Sequence, residues 1–369
     1  MADLLKHMYN PQFFERLNAV LIETVPLFDE RKFIFKIFDR TWPDLELKQR
    51  TRQITIALHE FMPKEFPEAA KIVTSISRSL RNREEKEQSY PFIFLPDYIE
   101  LYGLENFDVS VKAIEEITKL VSAEYAIRQF ILRYPEAAMK QMRLWSTHED
   151  PAVRRLASEG CRPRLPWSQE LTMFRKDPSP ILPILENLKT DPSEYVRRSV
   201  ANNLNDIAKD NPSLVIKTAR RWKSDSQETK WIIRHGCRTL LKKGVEEVLR
   251  MHGFKADRRC AVQDLNVSKT VKIGDYLTFD FTFCNLEKKP EQFRIEYIVH
   301  YLTSTGRISP KVFNIGEYKV EAGTSISISR RQSFKNFTTR KHYDGKHTLT
   351  ILVNGKAKAR QDFVVGKES

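Results

Sequence analysis

The sequence predicts an all-α region over residues 1–254 followed by an all-β sandwich over residues 255–369. Three observations carry this prediction. Apolar residues recur at helical spacing through the first part, and they alternate with polar residues at strand spacing in the second. An internal repeat within the first part is typical of stacked helical pairs. A chain of 369 residues is long enough for two domains of this kind.

The helical prediction depends on the spacing of apolar residues and on the positions of proline. The segments FFERLNAVLIETV, RQITIALHEFM, EAAKIVTSISRSL and VKAIEEITKLVS all place apolar residues at i, i+3, i+4 and i+7. Proline follows Asp or Asn at 150–151, 191–192 and 211–212. Proline suits the first turn of a helix and Asp or Asn suits the cap before it, so each pair predicts a helix start.

The internal repeat lies in the second half of the helical region. DPAVRRLASE at 150–159 resembles DPSEYVRRSVANN at 191–203, which has two extra residues before the shared VRR. Val153 and Val196 are 43 residues apart, and a weaker copy, WIIRHGCRTLL, follows at 231–241. This spacing is typical of HEAT-like repeats, which stack into a solenoid with a concave binding face. We therefore predict a HEAT-like helical repeat solenoid for residues 1–254.

Strand-like alternation dominates the remainder of the chain. The segments VKIGDYLTFDFTF, FRIEYIVHYL, TSISISRRQSF and KHTLTILVNG alternate apolar and polar residues and are separated by Gly, Asn and Asp. The segment YDGKH at 343–347 resembles the turn-then-strand corner of immunoglobulin-like domains. These features predict an immunoglobulin-like β-sandwich over residues 255–369.

The net charge of +14 points to a polyanionic partner. Nucleic acid is the first candidate and an anionic membrane surface the second, although a basic protein can also be basic without a partner. Residues 255–369 carry 21 Lys and Arg against 12 Asp and Glu, so most of the excess is local. That surface is either a second nucleic-acid contact or a solvated sandwich face.

Several function classes lack their motifs. A Walker A loop, GxSxG and GxGxxG are absent, as are CxxC pairs and HExxH, so no nucleotide cofactor or metal is expected. No apolar run reaches membrane-spanning length and no signal peptide is visible, so we expect no membrane association. Four scattered cysteines are typical of reduced thiols, which indicates a cytoplasmic protein.

One predicted helix carries paired charges on its surface. On a helix over 151–159, Arg155 and Glu159 share a face at i,i+4. A shift of 43 residues places Arg198 and Asn202 at the equivalent positions, and Asp206 follows one turn later. A carboxylate in a phosphate-binding groove repels the phosphate by about 1 kcal/mol per close pair in water. Glu159 is therefore either a partner of Arg155 or a group that faces a cationic ligand.

A cationic ligand in DNA would be an N-alkylated base. Its glycosidic bond is weakened, and cleavage builds oxocarbenium character on the sugar that a carboxylate can stabilise. The following loop contributes Arg162, Arg164 and Trp167. The arginines suit backbone phosphates or are simply solvated, and the tryptophan suits stacking on a nucleotide or anchoring in the core. From the residues alone, Glu124 in SAEYAIRQFIL has the pattern of an ordinary surface carboxylate.

Four segments resemble the AlkC family of alkylpurine DNA glycosylases, relatives of the AlkD type. They are MADLLKHMYNPQFFERL, SAEYAIRQFI, VRRLASEGCRPRLPW and SEYVRRSVANNLNDIAK. The resemblance covers most of residues 1–250, and RRLASEGCRPRLPW is its most specific part. The C-terminal sandwich is similar to the immunoglobulin-like domain that some members carry.

The resemblance implies a monofunctional glycosylase that removes cationic bases, chiefly 3-methyladenine and 3-methylcytosine, from bent double-stranded DNA without base flipping. It implies an acidic cluster of Glu124, Glu159 and Asp206 near the lesion, and a contact of Trp167 with the damaged nucleotide. We expect a monomer without a cofactor or metal, in the bacterial cytoplasm. Arg155, Arg162, Arg164 and Arg198 are the expected DNA-binding residues.

Two other function classes remain open from the sequence. A non-catalytic HEAT-repeat DNA-binding scaffold explains the positive charge but not acidic residues on a basic face. A HEAT-type adaptor for protein partners predicts weak DNA binding with little salt dependence, whereas a protein that grips phosphates loses affinity steeply as salt rises.

Overall fold

The computed structural model describes residues 5–83, 89–222, 226–337 and 340–367. The chain divides into two compact units, Met1–Gly236 and Cys237–Ser369. The first unit is helical, and the second contains two β-sheets preceded by two short helices, so the predicted change from α to β is confirmed.

The first unit is built from consecutive helices with short connections. Its α-helices are α1 (Pro11–Thr24), α2 (Glu30–Ile37), α3 (Leu47–His59), α4 (Phe66–Asn82), α5 (Phe94–Tyr102), α6 (Phe107–Ile117), α7 (Ala126–Arg133), α8 (Pro135–Trp145), α9 (Pro151–Glu159), α10 (Thr172–Lys176), α11 (Leu182–Leu188), α12 (Glu194–Asp210), α13 (Pro212–Arg221) and α14 (Gln227–Gly236). Short 3-10 helices lie at Leu5–Met8, Trp42–Asp44, Tyr90–Ile93 and Ser179–Ile181.

Helix α9 begins and ends where the sequence predicted. The Asp150 carboxylate accepts a hydrogen bond from the Ala152 amide at 2.7 Å, which caps the helix, and Pro151 is the first helical residue. The other end stops at Gly160, where a Cβ would lie 2.5 Å from Cγ2 of Ile127 in α7. Only glycine therefore allows the end of α9, which carries Glu159, to approach α7 so closely.

The helix after Asp191 starts later than predicted. The prediction placed its first turn at Pro192, but α12 begins at Glu194 with Ser193 as its N-cap. Asp191 instead accepts a hydrogen bond from the Ser193 amide and an ion pair from Arg154. The two extra residues before the shared VRR move the helix start, so that Asp191 joins the two repeats rather than capping the second.

The two sequence repeats make the same local contacts. Arg154 in α9 and Arg197 in α12 each donate from Nη1 to the carbonyls five and six residues earlier, at 2.6 and 2.9 Å for Arg154 and 2.7 and 2.9 Å for Arg197. Arg154 also reaches both oxygens of Asp191, at 2.6 and 3.1 Å. Each repeat thus tethers its own helix start, and the first repeat is bonded to the second.

The second unit contains two short helices and eight strands. The helices are α15 (Arg238–Lys242) and α16 (Glu246–Met251). The strands are β1 (Cys260–Val267), β2 (Thr270–Lys272), β3 (Tyr276–Asn285), β4 (Glu291–Leu302), β5 (Ile308–Val320), β6 (Ser325–Ser333), β7 (Gly345–Val353) and β8 (Lys356–Gly366).

The strands form one sheet of three and one sheet of five. The smaller has the order β1-β3-β6 and the larger the order β2-β8-β7-β4-β5, in which only β2 and β8 pair in parallel. Every second residue of β3, from Leu277 to Phe283, is buried, and the buried residues of β4, β7 and β8 share the same core. The four predicted strand segments coincide with β3, β4, β6 and β7, and this alternation places the core between the sheets.

The helices α15 and α16 belong to the compact unit of the sandwich. Gly244, which follows α15, lies against Gly355 in the β7–β8 turn, where a Cβ would be 3.0 Å from the Gly244 Cα. The Asn354 amide also donates to the Lys255 carbonyl at 2.8 Å. Helical periodicity ends near residue 254, where the sequence placed the domain boundary, but periodicity does not reveal which body a terminal helix packs against.

Candidate active site

Three elements of the helical unit bring together the predicted acidic residues. Glu124 lies in the turn before α7, Glu159 is the last residue of α9, and Asp206 lies in α12. The core face of α9 is fully buried through Val153 and Leu156. This packing turns the opposite face of α9 toward the other two elements, as the helical periodicity predicts.

Arginine side chains alternate with the three carboxylates. Arg155 Nη1 lies 2.7 Å from Glu124 Oε2, and its Nη2 lies 3.7 Å from Glu159 Oε1. Arg162 Nη1 lies 2.6 Å from the same Glu159 oxygen, and its Nη2 lies 2.8 Å from Asp206 Oδ2. The order is therefore Glu124, Arg155, Glu159, Arg162 and Asp206, and we call these five side chains the acidic cluster.

The acidic cluster is largely removed from solvent. Glu159 is 5% exposed and Asp206 is 2% exposed, and Arg162 between them is 7% exposed. Burial alone would lower the pKa of Arg155 and of Arg162, but the neighbouring carboxylates outweigh it and raise both pKa values. Both guanidiniums therefore stay charged at neutral pH.

The charges within the cluster do not cancel. Three carboxylates face two guanidiniums, which leaves one negative charge among these five side chains. Lys209 Nζ lies 2.9 Å from Asp206 Oδ1, but its side chain is 41% exposed and water screens its charge. The cluster therefore attracts a cationic group that approaches it without repelling it from the arginines as a whole.

Glu159 is anchored through one of its two oxygens. Both of its ion pairs, to Arg155 and to Arg162, are made by Oε1. Within the described parts of the chain, no side chain or amide donates to Oε2. An anchored carboxylate with a free oxygen can accept a proton from a water molecule in a fixed direction, which is the geometry of a general base.

The side of Arg155 away from Glu159 is closed by an aromatic ring. The Arg155 guanidinium lies 4.5 Å from the ring centroid of Tyr195, which belongs to α12. Ser122 donates to Glu124 Oε2 at 2.5 Å and accepts from Arg155 at 2.8 Å. Arg155 is thus held by four groups, which fixes the separation between Glu124 and Glu159.

A buried cation that the sequence did not reveal holds the loop after α9. Arg128 in α7 is 1% exposed and donates to the main-chain carbonyls of Gly160, Arg162 and Gln169, with its shortest bond to Gln169 at 2.5 Å. Burial lowers the pKa of Arg128 to about 10, so it remains charged at neutral pH. Its position in IRQFIL looks like an ordinary helix surface residue, because its partners are carbonyls that a sequence pattern cannot show.

Trp167 lies in this loop in an unusual backbone conformation. Its φ is +62°, and its side chain is 60% exposed. Lys48 donates to its main-chain carbonyl. A non-glycine residue in the left-handed region costs of order 1 kcal/mol, and such strain tends to be found at functional positions. An exposed indole held this way suits stacking, and its exposure does not fit the alternative of a core anchor.

Two of the predicted phosphate-binding arginines are engaged with carboxylates. Arg162 is buried within the acidic cluster, so the structure gives it the role of an ion-pair bridge instead of a free phosphate contact. Arg164 lies 2.8 Å from Asp210 and 3.1 Å from Glu170. The sequence could not show these partners, because Asp206 and Asp210 lie on α12, far along the chain.

Arg198 lies one repeat after Arg155 but does not join the acidic cluster. Its guanidinium lies 2.7 Å from Glu194 on the same helix, and its side chain is 67% exposed. Asp206, one turn beyond Asn202 on the same helix, does join the cluster. The two-residue insertion before the second VRR and the greater length of α12 explain why equivalent positions have different surroundings.

Comparisons with known proteins identify the family. The model described as "DNA alkylation repair enzyme" matches residues 34–240, and the model described as "Uncharacterised protein YhaZ, C-terminal Ig-like domain" matches residues 261–367. This chain belongs to the DNA alkylation repair enzyme family. The predicted resemblance is thereby confirmed, and the second unit is an immunoglobulin-like domain.

Two relatives of the DNA alkylation repair enzyme family match nearly the whole chain. The "Uncharacterized protein YhaZ" of Bacillus subtilis (strain 168) is 41% identical over 366 residues, which are 99% of this chain and 100% of that protein. The solved structure of "Pseudomonas fluorescens alkylpurine DNA glycosylase AlkC bound to DNA containing an abasic site analog" is 33% identical with a TM-score of 0.93, and the match covers 99% of this chain and 100% of AlkC.

Two other features of the described residues bear on the class of protein. No helix in the ranges given above combines the length and the apolar character needed to cross a bilayer. In the same ranges, no group of three or more His, Cys, Asp or Glu side chains is arranged to hold a metal ion.

Proposed function

We propose that this protein is a monofunctional DNA glycosylase that hydrolyses the N-glycosidic bond of cationic N-alkylated bases, chiefly 3-methyladenine and 3-methylcytosine. Membership of the DNA alkylation repair enzyme family and the likeness to AlkC support a repair glycosylase. The observation that carries the proposal is Glu159, which is buried, is fixed through Oε1 and has Oε2 free within a cluster of net negative charge.

The reaction requires little from the protein beyond charge and position. The C1′–N bond breaks and its electron pair passes to the ring nitrogen, so the cationic base leaves as a neutral molecule. The sugar is left with oxocarbenium character, which the carboxylates of Glu124 and Glu159 stabilise. A water molecule adds to C1′ and gives its proton to Glu159 Oε2, which later returns it to solvent.

The other cluster residues position this carboxylate. Arg162 fixes Glu159 and Asp206 to one another, and Arg155 fixes Glu159 to Glu124. Trp167 contacts the damaged nucleotide from the loop that Arg128 holds. No side chain in this mechanism cleaves the DNA strand, so the product is an abasic site.

DNA binding belongs to both domains in this proposal. The helical unit acts as a HEAT-like solenoid that holds the backbone of bent duplex DNA, and Arg164 and Arg198 contribute positive charge to that surface. The immunoglobulin-like domain, with most of the excess charge, adds a second contact. The protein acts as a monomer in the bacterial cytoplasm, without a cofactor and without flipping the damaged base into a deep pocket.

A non-catalytic DNA-binding scaffold is the second candidate. One observation favours it, because each of the three carboxylates is bound to an arginine, as in a purely structural network. Incubation of the protein with methylated duplex DNA separates the two, with mass spectrometry of the free bases as the measurement. A glycosylase releases 3-methyladenine and 3-methylcytosine, whereas a scaffold binds the DNA and releases nothing.

A further inference from the structure

An open cleft lies beside the acidic cluster in the helical unit. Its volume is about 870 Å³, which falls in the range of small-molecule sites, roughly 300–1,000 Å³. Three aromatic side chains line it, namely Tyr90, Tyr125 and Trp167, together with the charged residues Lys48, Arg52, Asp97 and Glu100. We call this the aromatic cleft.

The aromatic cleft and the acidic cluster share a wall. Tyr125 follows Glu124 in the chain and its ring lines the cleft. After burial, the charge of Glu124 is the main cause that raises the pKa of Tyr125, to about 12, and the same charge raises the pKa of Tyr90. A molecule released at the acidic cluster is therefore next to the aromatic cleft.

The two sites differ in net charge. The acidic cluster carries an excess of negative charge, which suits a cationic substrate. The aromatic cleft contains two cations, Lys48 and Arg52, and two acids, Asp97 and Glu100, so its charges balance. A balanced, aromatic-walled cleft favours a neutral planar ligand over a phosphate or a cation, because such a ligand gains stacking and loses little hydration.

One polar group in the cleft is free to recognise a ligand. Asp97 is occupied, since Arg52 donates to Oδ1 at 2.9 Å and Thr55 donates to Oδ2 at 2.7 Å. Glu100 has only Arg52 nearby, at 3.7 Å, and accepts no hydrogen bond from any described residue. Burial and the Asp97 charge raise the pKa of Glu100 to about 7, so near neutral pH its carboxyl offers both an O–H donor and a carbonyl acceptor.

We propose that the aromatic cleft is a holding site for the released base, in which Trp167 and Tyr125 stack on a neutral N-methylated purine and Glu100 pairs with its edge. A methylated adenine presents an amino group next to a ring nitrogen, and a carboxylic acid matches that pair with one acceptor and one donor. This inference rests on the proposed function, because glycosidic cleavage is what converts a cationic base into a neutral one.

Lys48 closes the rim of the cleft. Its ammonium lies 5.1 Å from the ring centroid of Tyr125 and donates to the Trp167 carbonyl, so it joins α3 to the loop after α9. Trp167 thus has one face toward the site of cleavage and belongs to the lining of the cleft. Its role extends from contacting the damaged nucleotide to receiving the base afterwards.

The test is calorimetric titration of free 3-methyladenine into the full chain without DNA, at about pH 6.5, below the pKa of Glu100. We expect saturable binding at one site. Glu100→Ala and Trp167→Ala should each weaken binding about tenfold or more, as for a lost stacking or paired contact. Glu100→Gln should preserve binding, because its amide retains one donor and one acceptor. Glu68→Ala, at an exposed carboxylate on α4, is the matched control and should change nothing.

Two further measurements separate this inference from the proposed function. Glu159→Gln should bind the free base as the wild type does, because Glu159 does not line the cleft. Wild-type protein that releases bases from DNA but binds no free base would overturn the holding site and leave the glycosylase standing. Equal binding of 2′-deoxyadenosine would also overturn it, because the cleft would then accept an intact nucleoside. Base binding without base release would contradict only the proposed function.

Discussion

Glu159 and Asp206 are bound by the same guanidinium, that of Arg162, at 2.6 and 2.8 Å. One carboxylate ends α9 and the other lies within α12, so Arg162 joins two successive repeats at the position where the acidic residues meet. Both carboxylates are almost completely buried. The distance between them therefore depends on a residue that the sequence pattern assigned to phosphate binding.

Removal of Arg162 should destabilise the helical unit. Arg162→Ala leaves two buried carboxylates without their shared partner, and breaking a buried pair in this way costs about 3–5 kcal/mol. Arg198→Ala is the matched control, because Arg198 has an exposed partner on its own helix and its loss should cost below about 1 kcal/mol. Urea unfolding measures both changes. Equal effects of the two substitutions would show that the Arg162 bridge does not stabilise the fold.

The fold was largely predictable because periodicity reports which side of an element is buried. Arg155 and Glu159 share a face of α9 and Leu156 is buried, as the helical spacing required. The start of α12 was predicted two residues early, since a proline pattern cannot show that Asp191 would bind Arg154 instead of capping. Local rules fix the elements, and contacts between repeats decide their ends.

Trp167 should matter for function more than for stability. Trp167→Gly removes an exposed side chain and relieves the positive φ of +62°, which glycine adopts without strain. We expect the thermal midpoint to stay the same or to rise, while base release falls about tenfold or more through lost stacking. Ser168→Gly, the neighbouring position, is the control for loop flexibility. A Trp167→Gly protein that unfolds at much lower temperature would show that the indole is a structural anchor.

The immunoglobulin-like domain should contribute to the salt dependence of DNA binding. Arg331 and Lys335 both lie over the Tyr276 ring, at 4.9 and 6.0 Å, and form a basic site on that domain. The double substitution Arg331→Gln with Lys335→Gln should reduce the slope of log affinity against log salt by about 0.9 for each lost phosphate contact. Lys346→Gln, whose charge is already paired with Asp362, is the control. An unchanged slope in the double variant would remove this site from the DNA interface.

Glu100 should make stability depend on pH. Its pKa in the folded protein is raised to about 7 from an ordinary value of 4.5, so the folded state holds a proton that the unfolded state has lost between those values. Stability therefore falls as pH rises through this window. Glu100→Gln mimics the protonated form and should raise the melting temperature relative to wild type at about pH 8 but not at about pH 4. Asp97, Arg52 and Lys48 face the same carboxyl, and Asp97→Asn should reduce the effect because its charge helps to raise the pKa.

The site was less predictable than the fold, for reasons that individual residues show. Glu124 became a candidate only through family resemblance, because nothing in SAEYAIRQFIL indicates that Arg155 would reach it from α9. Arg128 was missed altogether, since its partners are main-chain carbonyls of a distant loop. Asp206 was placed by the repeat, although the bridge to Arg162 depends on a loop conformation that no periodicity encodes.

Base release from methylated duplex DNA by Glu159→Gln tests the central claim most directly. The amide keeps the size of the side chain but cannot accept the proton of the attacking water, so we expect release of 3-methyladenine to fall by about a hundredfold or more while DNA affinity is largely retained. Glu68→Gln, the same change on an exposed part of α4, should release bases at the wild-type rate. If Glu159→Gln releases bases as fast as the wild type, the role assigned to Glu159 is contradicted.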